Sequence, residues 1–522
     1  MKQRRGAIYR GPLFPVTEAL EIGVRPCKGA AIRLIVRLPF QDVVAVNRPF
    51  NTGTSLEYGV TTLRQPWHSN AYTSSTMSSS HRRFAFVPTL ALFVVFGLAL
   101  PVHAQQAPAA GEPEAAVEGS GSTPREASGG ATAGLSSAGA QNNSTISFSG
   151  APGRGLTVDA GDAFGLNIKA RAMIRADFRS PAPSTEEERE WTQSVSIATL
   201  RLWIGGHVYR RDLTWLMQFA FAQADYRDDA TSPVYDAYLN WQPSRDLGIR
   251  VGQYFVPFDR LRTIREWGLQ MTARPRPVSE LTLDRDVGVM FYSDSFLGDE
   301  SPVAWRLGVF GGRGIHDVTP LEPGALLVAR LELRPLGEID DDMEGDLARR
   351  ARPALAVGAG YAMNLNTDRV RSTTGDSFNN GTTDFQHVAA DFVFKWQGLA
   401  VAAEYLLKDA SEDRLVVQSD STPEPSVEYT RSAHGWVTQI SYVFPKPFEL
   451  VARMSRITAH SGTDPRLVQE LEAYGQETGF GANWYFNGHR MKLQASWLAR
   501  TPSNFDFSAA EHVVQTQLDV SF

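Results

Sequence analysis

The chain of 522 residues has a single cysteine, Cys27. That excludes a disulfide framework and any zinc or iron–sulfur centre built on thiolates. Long apolar runs are nearly absent. Only residues 84–100 approach the length of a membrane-crossing helix, so a polytopic helical membrane protein is excluded. There is no excess of positive charge. The formal net charge is −6, which speaks against a nucleic-acid binder. The histidines are scattered without an H-E-x-x-H spacing, and no G-x-S-x-G elbow, P-loop or dinucleotide fingerprint stands in a usable context. Catalysis, a zinc site and a cofactor therefore have no support. Asp340, Asp341, Asp342, Glu344 and Asp346 offer hard oxygen ligands but lack the spacing of a calcium loop, and they read as a solvated acidic connection. Hydrophobic residues make up 43% and charged residues 21%, which excludes wholesale disorder.

The N-terminal part divides by composition. From Met77, basic His81-Arg82-Arg83, an apolar core and Val102-His103-Ala104 before Gln105 have the layout of a secretory signal peptide, 77–104. Pro88 near the start of the run and the small-residue cleavage pattern favour removal over a permanent anchor helix. Residues 1–76 precede it with no sustained period of 2 or 3.6, and read as a mis-assigned, disordered N-terminal extension. Cys27 would then be lost, and a cysteine-free mature chain suits an oxidising envelope. Residues 105–147, rich in Ala, Gly, Ser, Pro and Glu, cannot bury enough apolar area to offset chain entropy and read as a flexible linker.

Residues 148–522 carry a different signal. Ile168, Ala170, Ala172, Ile174, Ala176 and Phe178 share one parity, against Lys169, Arg171, Arg175 and Asp177 on the other. A strand sends successive side chains to opposite faces, so this is an apolar face backed by a charged one. Val514, Leu518, Val520 and Phe522 repeat the scheme against Gln515, Gln517 and Asp519, as do Met491, Leu493, Ala495 and Trp497 against Arg490, Lys492 and Gln494. The pattern yields about sixteen strands. Tight reversals at 210–212, 243–245, 397–398, 445–447 and 487–488 alternate with long links such as 179–192, 256–285, 366–385, 409–432 and 458–475. One connection, 335–353, should be short by this rule and is long.

A soluble sandwich also alternates. However, Trp215, Trp241, Trp305, Trp396, Trp436, Trp484 and Trp497 all take the apolar parity, while Arg, Lys, Glu and Asp recur on the other from end to end. Lipid outside and a wet lumen inside account for that pattern. Closure follows, because an open edge in hydrocarbon leaves backbone groups unpaired. The expectation is an all-β, transmembrane antiparallel barrel of about sixteen strands, with long extracellular loops and one of them folded into the lumen. It would sit in outer-membrane lipid. The terminal Phe522 looks like the recognition signal of the outer-membrane assembly machinery.

Val251-Gly252-Gln253-Tyr254-Phe255-Val256-Pro257-Phe258 resembles the VGQxxxPF segment of the phosphate-selective porin O and P family. Further pieces follow in order: Tyr235-Asp236-Ala237-Tyr238, Arg285-Asp286-Val287-Gly288-Val289, the segment from Gly308 to Gly314, Ala329-Arg330-Leu331, and the segment from Gly479 to Phe486. The resemblance spans roughly 148–522 and implies a sixteen-stranded porin, usually trimeric, passing anions such as phosphate through an arginine-lined pore. It does not by itself imply phosphate preference.

The link 256–285 is the natural constriction loop, and Arg260, Arg262 and Arg265 are its candidate anion-binding residues. Guanidinium forks match phosphate or carboxylate oxygens and keep their charge. From the wall, Arg171, Arg250, Arg330, Arg334, Arg490 and Lys492 take the lumen parity and are expected to line the pore. The bland alternative is that these arginines pair with nearby acids and brace the loop. The expected activity is passive diffusion of small anions, phosphate or similar oxyanions first. A weakly selective general porin, a barrel enzyme and a plugged anchor or adhesin are the rivals.

Overall fold

The computed structural model describes residues 146–181, 191–225, 232–298, 301–315, 324–339, 343–418, 424–502 and 505–522, together with the backbone of three strands between 22 and 49. Those three, Ile22–Pro26, Ala31–Arg37 and Val43–Pro49, form a small antiparallel sheet in a stretch where the sequence pattern pointed to no element. The signal-peptide segment 77–104 and nearly all of the linker 105–147 lie outside the described residues.

The remainder is a closed antiparallel barrel whose strands follow one another in sequence. Its strands begin with β1 (Phe164–Ser180), β2 (Thr192–Val208), β3 (Arg210–Ala220), β4 (Val234–Ser244) and β5 (Leu247–Phe255). Next come β6 (Arg285–Ser293), β7 (Val303–Phe310), β8 (Leu326–Leu333), β9 (Ala354–Thr367), β10 (Thr383–Trp396) and β11 (Leu399–Ala410). The wall ends with β12 (Ala433–Val443), β13 (Phe448–Ala459), β14 (Gln476–Tyr485), β15 (Met491–Thr501) and β16 (Glu511–Ser521). Pairing of β16 with β1, from His512 opposite Ser180 to Ser521 opposite Arg171, closes the ring. The wall thus has sixteen strands, the number the alternation led to, and the three stretches named for it lie on β1, β15 and β16. A hairpin, Ser147–Ala151 and Gly155–Asp159, adds to the start of β1 through Leu156 opposite Ile168. It thus covers the part of the β1 edge that β16 leaves free.

The pleat sorts the side chains as expected for lipid outside. On β5, Val251 is 48% exposed, whereas its neighbour Arg250 faces the interior. Leu239, Val287, Phe291, Leu307, Val309, Trp484 and Leu493 are exposed on the outer surface, while Lys395, Lys408, Lys492, Asp236, Asp519 and Glu449 are buried inside. A soluble protein does the reverse. This inverted distribution on a closed sheet defines a transmembrane β-barrel, and such barrels belong to the bacterial outer membrane.

Two expectations about the interior need correction. First, the upper lumen is not simply wet. Segment 256–284 enters it and packs Val256, Phe258, Leu261, Ile264, Leu269, Val278, Leu281 and Leu283 against inward Phe310, Val328, Leu406, Val437 and Ile457. Second, Glu344 and Asp346 of the acidic connection are buried rather than solvated, while Asp340, Asp341 and Asp342 lie outside the described residues. A smaller shift concerns the first tight reversal. The chain turns at Tyr209, whose φ is 63°, and Arg210 already belongs to β3.

Candidate pore site

The loop 256–284 positions the site. It leaves β5, makes a short helical turn α1 (Arg260–Thr263), descends, and returns through α2 (Arg276–Leu281) to β6. Asp259 caps α1 by accepting from the Arg262 amide at 2.7 Å. The loop is pinned around the wall by complementary groups. Arg260 donates through Nε to Asp391 at 2.7 Å and through Nη2 to Glu332 at 2.6 Å. The backbone amides of Arg260 and Leu261 reach Glu404 at 3.1 and 3.0 Å. Lower down, Lys492 donates to the carbonyls of Trp267 (2.6 Å) and Leu269 (2.9 Å), and Asn483 to that of Gln270 (2.8 Å). Thr272 bonds Ser496 and Gln515, and Arg453 bonds the Ala273 carbonyl at 2.8 Å. The β12–β16 side of the lumen is therefore filled by chain.

The opposite sector stays open. A cavity of about 140 Å³ lies between the loop and β4–β8, bounded by Tyr238, Arg250, Tyr254, Tyr292, Arg306 and Arg330 from the wall and Arg260, Thr263 and Arg265 from the loop. Asp294 and Glu332 are the carboxylates at its edge. Arg250 is distinctive. Its guanidinium lies 4.5 Å from the ring centre of Tyr238, 5.5 Å from Tyr254 and 5.6 Å from Tyr292, and its Nε donates to Asn240 at 3.2 Å. The aromatic faces hold the cation by cation–π attraction. Among the described residues it makes no ion pair. Gly248 opposite Tyr292 permits this arrangement, because a Cβ there would meet the ring at 2.3 Å.

The other arginines at the cavity are paired. Arg265 donates to Asp236 at 2.7 Å and to Gln218 at 3.0 Å. Arg306 reaches Asp294 at 2.8 Å. Arg330 pairs with Asp391 at 2.7 Å and donates to the Phe258 carbonyl at 3.1 Å. In the loop, burial alone would raise the Glu266 carboxyl, but Arg201, Arg274 and Arg285 hold it down at about 2.

Of the sequence-selected residues, Arg250, Arg260, Arg265 and Arg330 thus meet at one cavity. Arg262 pairs with Asp284 inside the loop. Arg334 braces Glu332 at 2.6 Å. Arg171 bonds Asp519 at 3.2 Å and lies 4.7 Å from the Trp267 ring. Lys492 is committed to loop carbonyls, and Arg490 lines a separate groove with Asn487 and Asp346. Tyr238, Tyr254, Tyr292 and Arg306 were not selected as site residues, although each sits on the lumen parity of its strand. Aromatics at inward positions beside an inward arginine were the available signal.

No protein-family model matches the chain, and no curated protein does. Several solved structures are similar to it. Salmonella typhi OmpF in complex with daunomycin aligns at 12% identity over 69% of this chain and 98% of that one, with a TM-score of 0.44. Pseudomonas putida OprB aligns at 9% identity over 68% and 94%, TM-score 0.43. An anion-selective porin from Comamonas acidovorans aligns at 7% identity over 68% and 100%, TM-score 0.41. At such identities the function has to be argued from this chain's own side chains. What those side chains occupy is a closed sixteen-stranded outer-membrane barrel with its third long loop inserted into the lumen.

Proposed function

We propose that the barrel is an outer-membrane porin through which small anions, phosphate or similar oxyanions among them, diffuse passively along the β4–β8 side of the lumen. The observation that carries this reading is Arg250, a guanidinium held in a tyrosine cage at the cavity with no ion-pair partner among the described residues. A fixed, unneutralised cation at a constriction lowers the barrier for anions and raises it for cations. Arg260, Arg265, Arg306 and Arg330 reinforce its field, and their carboxylate partners keep a passing anion from being held too tightly. The likeness to the phosphate-selective porin O and P family supports the same reading. With it go removal of 77–104 as a leader, assembly through Phe522 and a homotrimer.

A weakly selective general porin is the second reading. It is favoured by the pairing of four of the cavity arginines, which lowers the net field. Reversal potentials across a planar bilayer in a salt gradient separate the two. Anions are expected to carry most of the current, and Arg250→Gln should reduce the anion-to-cation permeability ratio severalfold. A ratio near unity in the native barrel favours the general porin, and a cation preference rejects anion passage.

A further inference from the structure

The β8–β9 connection is the one turn at the short-turn end that is long, and among its described residues Ile339 and Glu344 to Asp346 are buried. Ile339 is buried with Ala354, Ala356 and Val393 of the lower wall. The Met343 carbonyl accepts from Lys395 at 2.8 Å. Glu344 then meets the descending loop directly. Its amide donates to the Gly268 carbonyl at 3.0 Å, and its carboxylate accepts from the Gln270 amide at 2.7 Å and from Gln439 of β12 at 2.8 Å. Gly345 lets the two segments touch, since a Cβ there would lie 2.6 Å from Glu449 and 2.7 Å from Gln270. Asp346 turns the chain back by accepting from the Gly398 amide at 2.7 Å and from the Arg350 amide. Arg349 ends over the Tyr442 ring and on the Val443 carbonyl.

We propose that this connection is a latch on the pore. Entering from the periplasmic mouth, it clasps the tip of the constriction loop through Glu344, holds it against β12–β15, and thereby fixes the width of the passage left along β4–β8. Glu344 is a positioning residue: it touches the loop and lies apart from the cavity. The proposal deepens the diffusion reading and rests on it. The physical reason is that a loop crossing a lumen is held on its outer end by strands and needs an independent anchor at its tip. Beside the wall bonds of Lys492 and Asn483, the tip is anchored by buried, directional hydrogen bonds from this second segment, and removing the Glu344 carboxylate leaves the Gln270 amide without an acceptor and the Gln439 side chain with only the Gln270 side-chain oxygen. Width set in this way determines which solutes pass, independently of the sign of charge set by Arg250.

The test is single-channel conductance with exclusion of graded polyethylene glycols, on full barrels whose folding is checked by heat-modifiable gel mobility. Glu344→Ala is expected to raise conductance about twofold or more and to admit larger polymers, as a loosened constriction requires. Glu344→Gln, which keeps an acceptor for the Gln270 amide, should stay near the native value, and Glu338→Ala on the exposed part of the connection should equal it. Gln439→Ala removes its bonds to Glu344 and to the Gln270 side chain but leaves the Glu344–Gln270 amide bond, should give an intermediate rise, and decides the matter if Glu344→Ala does not fold. Folded Glu344→Ala or Gln439→Ala barrels with native conductance and native polymer exclusion overturn the latch. Reversal potentials in the same recordings test anion passage separately, so a cation-selective barrel with a widened variant would reject the anion reading and leave the latch standing.

Discussion

The two sides of the lumen use the same residue types for opposite ends. Along β12–β16 inward polar side chains are consumed by the inserted loop: Lys492 by the Trp267 and Leu269 carbonyls, Asn483 by the Gln270 carbonyl, and Gln515 by the Thr272 hydroxyl. Along β4–β8 the inward arginines meet mostly side chains and a cavity instead, and one of them, Arg250, is held by tyrosines and an asparagine with no ion pair among the described residues. Polarity on the inside of a barrel is therefore not equivalent to a pore lining. What matters is whether the hydrogen-bonding capacity of each group is already used. Backbone carbonyls and amides satisfy the packed side, and a cation outside any described ion pair is left on the open side.

The contrast can be broken at several places. The largest effect is expected where the two sides join, at Arg260. Arg260→Ala leaves Asp391 and Glu332 buried with less compensation, and stability to denaturant in detergent should fall by about 3–5 kcal/mol. A loss below 1 kcal/mol would mean that the loop is held by its apolar contacts instead. Next comes the wall itself. Val251→Arg places a charge on the lipid face one residue from Arg250 and should cost about 2–4 kcal/mol of folding stability in lipid. Equal tolerance at the two neighbours would contradict the assigned register. A smaller change is expected for Gly248→Ala. Its methyl would push the Tyr292 ring from the wall, costing about 1–3 kcal/mol and narrowing the cavity, which single-channel conductance would register as a fall. The smallest effect concerns pH. Glu266 is held at about 2 against an ordinary value of 4.5, so its contribution is fully present above that ordinary value and is lost as pH falls toward 2. The stability lost on Glu266→Gln should thus be constant from neutral pH down to about 5 and shrink only in stronger acid. A transition near pH 6 would point to another group.

Much of this architecture was legible in the chain. The parity of Ile168, Ile174 and Phe178 against Lys169, Arg171 and Asp177 is a local property, and it survives in the barrel because a pleated strand between lipid and lumen leaves no other arrangement of those faces. The link 256–285 stood out by length and arginine content, and it does fold inward. Its apolar residues gave no such sign: Phe258, Leu261 and Leu283 pair with inward Phe310 and Val328 from distant strands, and that interior cluster has no local period. The long connection 335–353 was visible as an exception, but its acidic run suggested solvent, because sequence shows charge and not the hydrogen-bond donors that await it.

By itself the sequence determined the number and placement of the strands, which face of each meets lipid, and which end carries the long loops. All three follow from side-chain alternation and turn chemistry within a few residues. Only the tertiary structure decided which inward charges are used up and which stay available, since that depends on partners brought together from across the lumen. Arg260 and Arg250 are alike in the chain; Asp391 and Glu332 claim the first, and three tyrosines hold the second.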